Sequence, residues 1–458
     1  MLAILGLVAL AGAVPTASTR IRAGQDGEAA PRMLLVRGAK VIVRPGKVLE
    51  QGAVLVQDGV IVNVGRDLEA PADAKVVEGA VVCAGFLDAW SSFALESNAF
   101  ADERINSATL ATDAVDSYLD PRFETQILRA GITSYRLQPS VGARFGGLGA
   151  FLRLHPGKRS DQTTLLEDCC VAGSLGLSRD GRSVDVFDRV SEVDRLLGAL
   201  SDGLGYLQDQ NEYRHELEDW QKKIADKQKE LDEGFKKAKK DREKAQTEAK
   251  DKGTEFKEKE FKEDKKPKAP RYDPEKEVLA RVASGELPLV VEVHRALELR
   301  NLLDGTEKIE RLRLIVAGGT EALTCAESLK ERRIPVIVWP QPQGTGRSAE
   351  FESSDMALAA ALEEAGVEVI LGSGGAAGIA TRDLPLLTAM AVGHGMSAQS
   401  ALAALTTRPA RAFDVSDKVG SLDLGREADI LVLSGEPFAT TTKVRFVISG
   451  GDLVVEER

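Results

Sequence analysis

Histidine is scarce in this chain: 458 residues contain four, His155, His215, His294 and His394. Catalytic metal sites built on imidazole commonly take three protein ligands, so such a centre exists here only if nearly all four converge. His215 lies in a charged segment, His155 precedes Pro156, and His394 stands between two glycines. Only His294, at the end of an apolar run, is placed to face a cleft. Cysteine is equally sparse. Cys83, Cys169, Cys170 and Cys325 are too few and too scattered for a disulfide framework, and no pair has zinc-finger spacing. Cys83 and Cys325 read as small buried hydrophobes, while vicinal Cys169 and Cys170 leave a strained redox bond as an alternative. Aromatic residues make up 5% and the net charge is -11. A base-stacking surface or a basic phosphate-binding face is therefore not expected, and nucleic acid is excluded as a partner. No apolar run reaches the roughly 20 residues that a bilayer span needs.

The longest uncharged apolar run is Leu2 to Val14, ending in Ala11-Gly12-Ala13. Its length and small-residue end match a secretory signal, so residues 1–20 are expected to direct export to a periplasmic or extracellular location. The run carries no preceding Lys or Arg, which keeps the alternative of a cytoplasmic chain with an apolar extension. Ser18 to Pro31 then reads as a lead-in.

From Met33 to about Val82 the pattern is short β-rich runs broken by Pro-Gly, Gln-Gly and Asp-Gly turns, and Ala428 to Val455 repeats it. One small sheet domain assembled from both ends, 31–83 with 420–458, follows. Between these, over 84–419, apolar runs are spaced as a (β/α)8 TIM barrel requires. Strands are expected near 81–90, 132–138, 148–154, 169–177, 288–294, 311–317, 334–339 and 367–373. A charged insertion at about 210–280 separates the fourth and fifth. It holds 21 Lys or Arg against 20 Asp or Glu between Asn211 and Ala280. Leu217, Trp220, Ile224, Leu231, Phe235 and Ala238 recur on one face at helical spacing. The segment reads as a solvated helical arm, with a partner-binding or self-associating coiled coil as the alternative.

The chain is organised around Val81 to Ser92, an apolar run that breaks at Gly85 and ends on Asp88-Ala89-Trp90-Ser91-Ser92. With Gly59 to Gly65, Pro71 and Gly85-Phe-Leu-Asp88 it resembles the N-terminal signature of the amidohydrolase superfamily. Gly131-Ile-Thr133, Gln138-Pro139, Gly146 to Ala150, His294-Arg295-Ala296 and Gly318 to Ala322 continue the likeness, in the manner of imidazolonepropionase-like members. Gly395-Met396-Ser397, Pro409-Ala410 and Gly420 to Asp429 match the C-terminal signature. The resemblance implies a barrel beside a composite β-sandwich. It also implies metal-dependent hydrolysis of carbon–nitrogen, non-peptide bonds, with zinc or another divalent ion activating water.

The implied ligands can be checked one position at a time. The first-strand histidines correspond to Trp90 and Ser92, the fourth-strand position to about Ala172, the fifth to Glu292 or His294, the sixth to Gly318 and the eighth-strand aspartate to Gly374. Only Glu292 and His294 offer donors, and one carboxylate does not make a metal site. No metal or other cofactor is expected, and the cleft candidates are Asp88, Trp90, Ser92, Glu292, His294 and Gly374. Asp88 reads as a bond to backbone donors at its strand end. Ser91 or Ser92 with His294 would be a nucleophile and base without a third member. A Gly-rich loop, Gly344-Thr-Gly346-Arg347, is a candidate anion holder. The functional expectation is an amidohydrolase scaffold that serves as a non-catalytic binding or assembly subunit, a pseudoenzyme. Its expected partners are a protein held by the 210–280 arm, a second copy, or an active paralogue. The alternative is an amide or cyclic-amide hydrolase with a rearranged or metal-free site around Glu292 and His294.

Overall fold

The computed structural model describes residues 32–95, 106–116, 118–139, 145–175, 186–248, 265–340, 355–374 and 380–457. The segment 1–20, expected to be a secretory signal, and the loop containing Gly344 and Arg347 lie outside the described residues.

Both chain ends build one sheet. β1 (Met33–Arg44), β2 (Lys47–Gln57), β3 (Val60–Arg66) and β4 (Lys75–Ala84) come from the N-terminal side. The alternation of β1, with Leu34 and Val36 on one face, sets the register in which Val36 faces Val54 on β2 and Val77 on β4. The barrel strands follow: β5 (Phe86–Ser91), β6 (Ile132–Leu137), β7 (Gly147–Arg153), β8 (Thr164–Ser174), β9 (Leu289–Val293), β10 (Leu314–Gly318), β11 (Val336–Val338) and β12 (Val369–Leu371). The chain then returns with β13 (Ile430–Leu433), β14 (Val444–Ser449) and β15 (Asp452–Glu456), giving a seven-stranded order β15-β14-β13-β4-β1-β2-β3.

The expected single strand 81–90 is two strands in two sheets. Gly85 marks the transfer, and a Cβ there would come within 2.0 Å of Thr133 Oγ1. The two sheets are tied by Arg153 of β7, whose Nε donates to Asp429 at 3.0 Å, while the Gly450 amide reaches the same carboxylate at 2.7 Å.

The eight barrel strands lie in the order β12-β11-β10-β9-β8-β7-β6-β5. The expected all-parallel (β/α)8 pattern is corrected at one place. β7 runs antiparallel to both β6 and β8, because β6 ends at Leu137 and β7 begins at Gly147, too few residues apart for the crossover that parallel neighbours need. β12 and β5 close the ring through side chains. Asp88 Oδ1 accepts the Ser373 amide at 2.9 Å, and Ser373 Oγ donates to Trp90 O at 2.9 Å.

Helices cover the outside. α1 (Pro121–Arg129) starts on an Asp120 cap with Pro121 in its first turn, and α2 (Ser160–Thr163) is a single turn before β8. α3 (Val186–Glu248) is 63 residues long, about 95 Å at 1.5 Å per residue. The arm therefore grows from the helix that follows β8, starting 24 residues before the expected insertion boundary at 210. Its root packs on α4 (Pro274–Ala283), with Gln210 donating to Glu277 at 2.6 Å. Farther out, Tyr213, Leu217, Trp220, Ile224 and Lys227 are half-buried and the residues between them exposed. The side chains of Leu231, Phe235 and Ala238 lie outside the described ones. The remaining helices are α5 (Ala296–Thr306), α6 (Ala326–Glu331), α7 (Leu358–Glu364), α8 (Ala380–Gly393), α9 (Ala398–Ala404) and α10 (Thr407–Ala412). No described helix is long and apolar enough to cross a membrane.

Candidate functional site

The C-terminal ends of β5, β9, β10 and β12 bring Asp88, Trp90, Glu292, His294, Gly318 and Gly374 to one mouth. Ser92, half-buried, follows β5 directly. Trp90 is 2% exposed and stacks obliquely on Trp339, ring centroids 5.2 Å apart. The His294 ring meets Trp339 edge-on at 5.6 Å, and its Nε2 lies 3.4 Å from Glu292 Oε1. On its other side His294 Nδ1 is 3.3 Å from Thr320 Oγ1. Glu292 Oε2 is buried and has no hydrogen-bond partner among the described residues.

Beneath this layer sits Arg136, which is 0% exposed. It arrives on β6, two residues after Ser134 and on the same face of the strand. Its Nε donates to Ala89 O at 2.7 Å, Nη2 to Gln138 Oε1 at 2.5 Å, and Nη1 lies 3.4 Å from Cys170 Sγ. The guanidinium lies over the Trp90 ring, 4.9 Å from its centroid, and over Phe413 at 5.2 Å. No carboxylate is within ion-pair distance of it among the described residues. Beside it stands the Cys170 thiol. Burial opposes ionisation there, but hydrogen bonding from Cys169 and the charge of Arg136 outweigh it and hold Cys170 below the ordinary thiol range. Burial pushes Cys169 well up. The two sulfurs are unbridged, 3.8 Å apart.

Asp88 belongs to the seam. Its Oδ1 accepts the Trp90 and Ser373 amides, each at 2.9 Å, and burial pushes its carboxyl up to about 6 against those bonds. Ser91 Oγ shares a hydrogen bond with Thr381 Oγ1 at 2.5 Å and accepts the Phe93 amide. Ser91 is thus held at the seam, and the Ser91–His294 dyad is not formed.

The donor set does not fit the metal that the resemblance implies. Trp90 occupies the first ligand position and carries a guanidinium on its face. Ala172, fully buried on β8, offers no lone pair. At Gly318, φ is +81° and a Cβ would come within 2.3 Å of His294 Cε1, so no ligand side chain can stand there beside that ring. Gly374, φ +79°, supplies no carboxylate. Among the described residues no three His, Cys, Asp or Glu side chains converge as a metal group. Of the other histidines, His155 bonds Asp452 at 3.1 Å, His215 is exposed on α3, and His394 is exposed after α8.

Arg136 and Trp339 escaped the reading from sequence, which took Cys170 only as half of a vicinal pair. The signal for Arg136 was a charged residue at an inward position of the apolar strand Ile132–Leu137, between two motifs that were recognised.

Comparison with known proteins agrees with this architecture. No curated protein sequence matches. Among solved structures, an amidohydrolase from Thermotoga maritima MSB8 superposes with a TM-score of 0.67 at 23% identity, over 93% of this chain and 100% of that one. Molinate hydrolase superposes at 0.51 and 14% identity, over 93% and 95%. Ochratoxinase from A. niger does so at 0.50 and 14%, over 93% and 96%. At these identities the likeness is one of fold. The sequence model of the amidohydrolase family matches residues 211–454, more than half of the chain. The chain belongs to the amidohydrolase family.

Proposed function

We propose that this amidohydrolase has lost the metal centre and works as a non-catalytic binding or assembly subunit. The observation that carries the reading is the Trp90–Arg136 pair. A fixed guanidinium 4.9 Å from the ring centroid at the first ligand position puts positive charge where a divalent ion would sit. Like charges at such range in a poorly solvated interior repel strongly. Glu292 and His294 are the two donors left, and each is engaged with the other. The half-buried stripe on α3 supports the arm as the surface through which a protein partner or a second copy is held. The Leu2–Val14 run supports an exported location.

A second reading is favoured by one observation. Glu292 and His294 form a buried carboxylate–imidazole pair, and Glu292 Oε2 has no hydrogen-bond partner among the described residues. Such a pair can orient and deprotonate a water without a metal. The deciding experiment is elemental analysis of protein purified without chelators, then again after incubation with zinc, manganese or iron. A stoichiometry near zero in both is expected. About one retained metal per chain would overturn the scaffold reading. Metal-free turnover of amide substrates that disappears in Glu292→Gln would establish the second.

A further inference from the structure

At the opposite end of the barrel, the N-terminal ends of β10, β11 and β12 and the end of α10 line an open cavity of about 600 Å³, with Lys330 and Arg333 exposed at its rim. Its size lies in the range of small-molecule sites. Five cationic side chains line it, Arg313, Lys330, Arg332, Arg333 and Arg411, against one carboxylate, Glu368. In a chain of net charge -11 this is a local inversion of sign.

Three of the five cations are already engaged. Arg313 grips Asp414 with two bonds, 2.6 and 2.9 Å, and Arg411 pairs with Glu368. Arg332 caps the end of α5, donating to Leu303 O at 2.5 Å and to Thr306 Oγ1 at 3.1 Å. Lys330 and Arg333 have no side-chain hydrogen bond or ion pair among the described residues. Arg333 is also held at φ +53°, a conformation that residues other than Gly, Asn and Asp seldom adopt. The negative end of α6 explains cations near its last turn. It does not explain their convergence with Arg313 and Arg411, which come from other segments. Leu312 and Pro335, both half-buried, supply apolar wall beside the charges.

We propose that this cavity binds a small organic phosphate monoester with an apolar body. The two uncommitted cations match the charge of such a group, which is about -1.5 to -2 at neutral pH, and the apolar wall matches the body. The site is independent of the barrel mouth, so it stands whether or not the chain is catalytic.

The test is isothermal titration calorimetry on the full chain with 1-naphthyl phosphate, 1-naphthol and inorganic phosphate. Saturable one-to-one binding of the ester is expected, with each half-ligand at least about tenfold weaker. Lys330→Met with Arg333→Gly removes both free charges, and the glycine suits the backbone at 333. This variant should melt like the parent and bind the ester at least about tenfold more weakly. Raising salt from about 50 to about 200 mM should weaken the parent more than the variant. The proposal is overturned by no saturable binding of the ester, by equal affinity in the folded variant, or by inorganic phosphate binding as tightly as the ester. That last result would mean a generic anion patch. If the variant loses its fold, Arg333→Gly alone carries the test, with the same outcomes read at a few-fold change.

Discussion

The barrel seam makes a quantitative prediction about pH. Asp88 bridges β5 and β12 through two amide bonds, with its other oxygen, Oδ2, buried and unpartnered among the described residues. Burial raises its carboxyl from 3.8 to about 6. In the unfolded chain the group ionises near 3.8, and in the native chain only near 6. Between those values the native state binds the extra proton, so its contribution is fully present below about pH 3.8 and is lost as pH rises through about 6. The whole loss corresponds to about 3 kcal/mol, of which about 2 kcal/mol falls between about pH 4.5 and about pH 8. Asp88→Asn keeps an accepting oxygen for both amides and cannot ionise. Urea unfolding of the two proteins across that range cancels the titration of every other acid. The wild type is expected to lose about 2 kcal/mol relative to the Asn variant as pH rises. Stability curves that stay parallel within about 0.5 kcal/mol would refute the claim that a desolvated carboxyl holds the seam. Asp88→Ala is the control: it strands both amides and should cost about 1–3 kcal/mol for each at every pH.

Trp90→Ala should cost about 3–5 kcal/mol as a core cavity and about 1 kcal/mol more for the lost Trp339 pair, measured by denaturant unfolding. A cost under about 2 kcal/mol would mean that the mouth collapses instead of being packed. Arg136→Met removes the charge that holds Cys170 down, so the thiolate absorbance should appear at higher pH than in the parent. An unchanged titration would show that Cys169, not Arg136, sets it. Excising residues 214–268 of the arm should leave barrel stability within about 1 kcal/mol, because most described side chains there are exposed. The same deletion should abolish any self-association seen by analytical ultracentrifugation, and association that survives would move the interface elsewhere.

Much of the fold was legible because its signals are local. Alternation marks the strands of the small sheet, and turn dipeptides mark their ends. The reversal of β7 was not legible, since an apolar strand reads the same in both directions and only the length of its connections decides. The first turns of the helix that carries the arm were not legible for a related reason. Composition changes at about Gln210, where the helix leaves the barrel, whereas the helix itself begins at Val186 under ordinary barrel packing. At the mouth, the residue types at each compared position could be read from sequence, but the side chains that pack against them could not. The cluster of Trp90, Trp339, Arg136 and Cys170 draws on β5, β6, β8 and the end of β11, residues remote in sequence that meet only when the barrel closes.

That cluster also determines how far the site is from a metal centre. Trp90→His with Ser92→His would restore two imidazoles to the first strand, yet the volume vacated by the indole would expose the guanidinium of Arg136 directly to the new ligands. The cation lies 4.9 Å from the indole centroid and has no carboxylate of its own among the described residues. A divalent ion placed there would be repelled by it, and neutralising Arg136 would in turn strand Gln138, Ala89 O and the Cys170 sulfur. Gly318 adds a second obstacle, because His294 occupies the space that a sixth-strand ligand would need. On the proposed reading, Trp90, Ser92 and the buried arginine act as one coupled set. Recovering metal affinity requires substitutions on β5, β6 and β10 together, and any single reversion is expected to bind no metal.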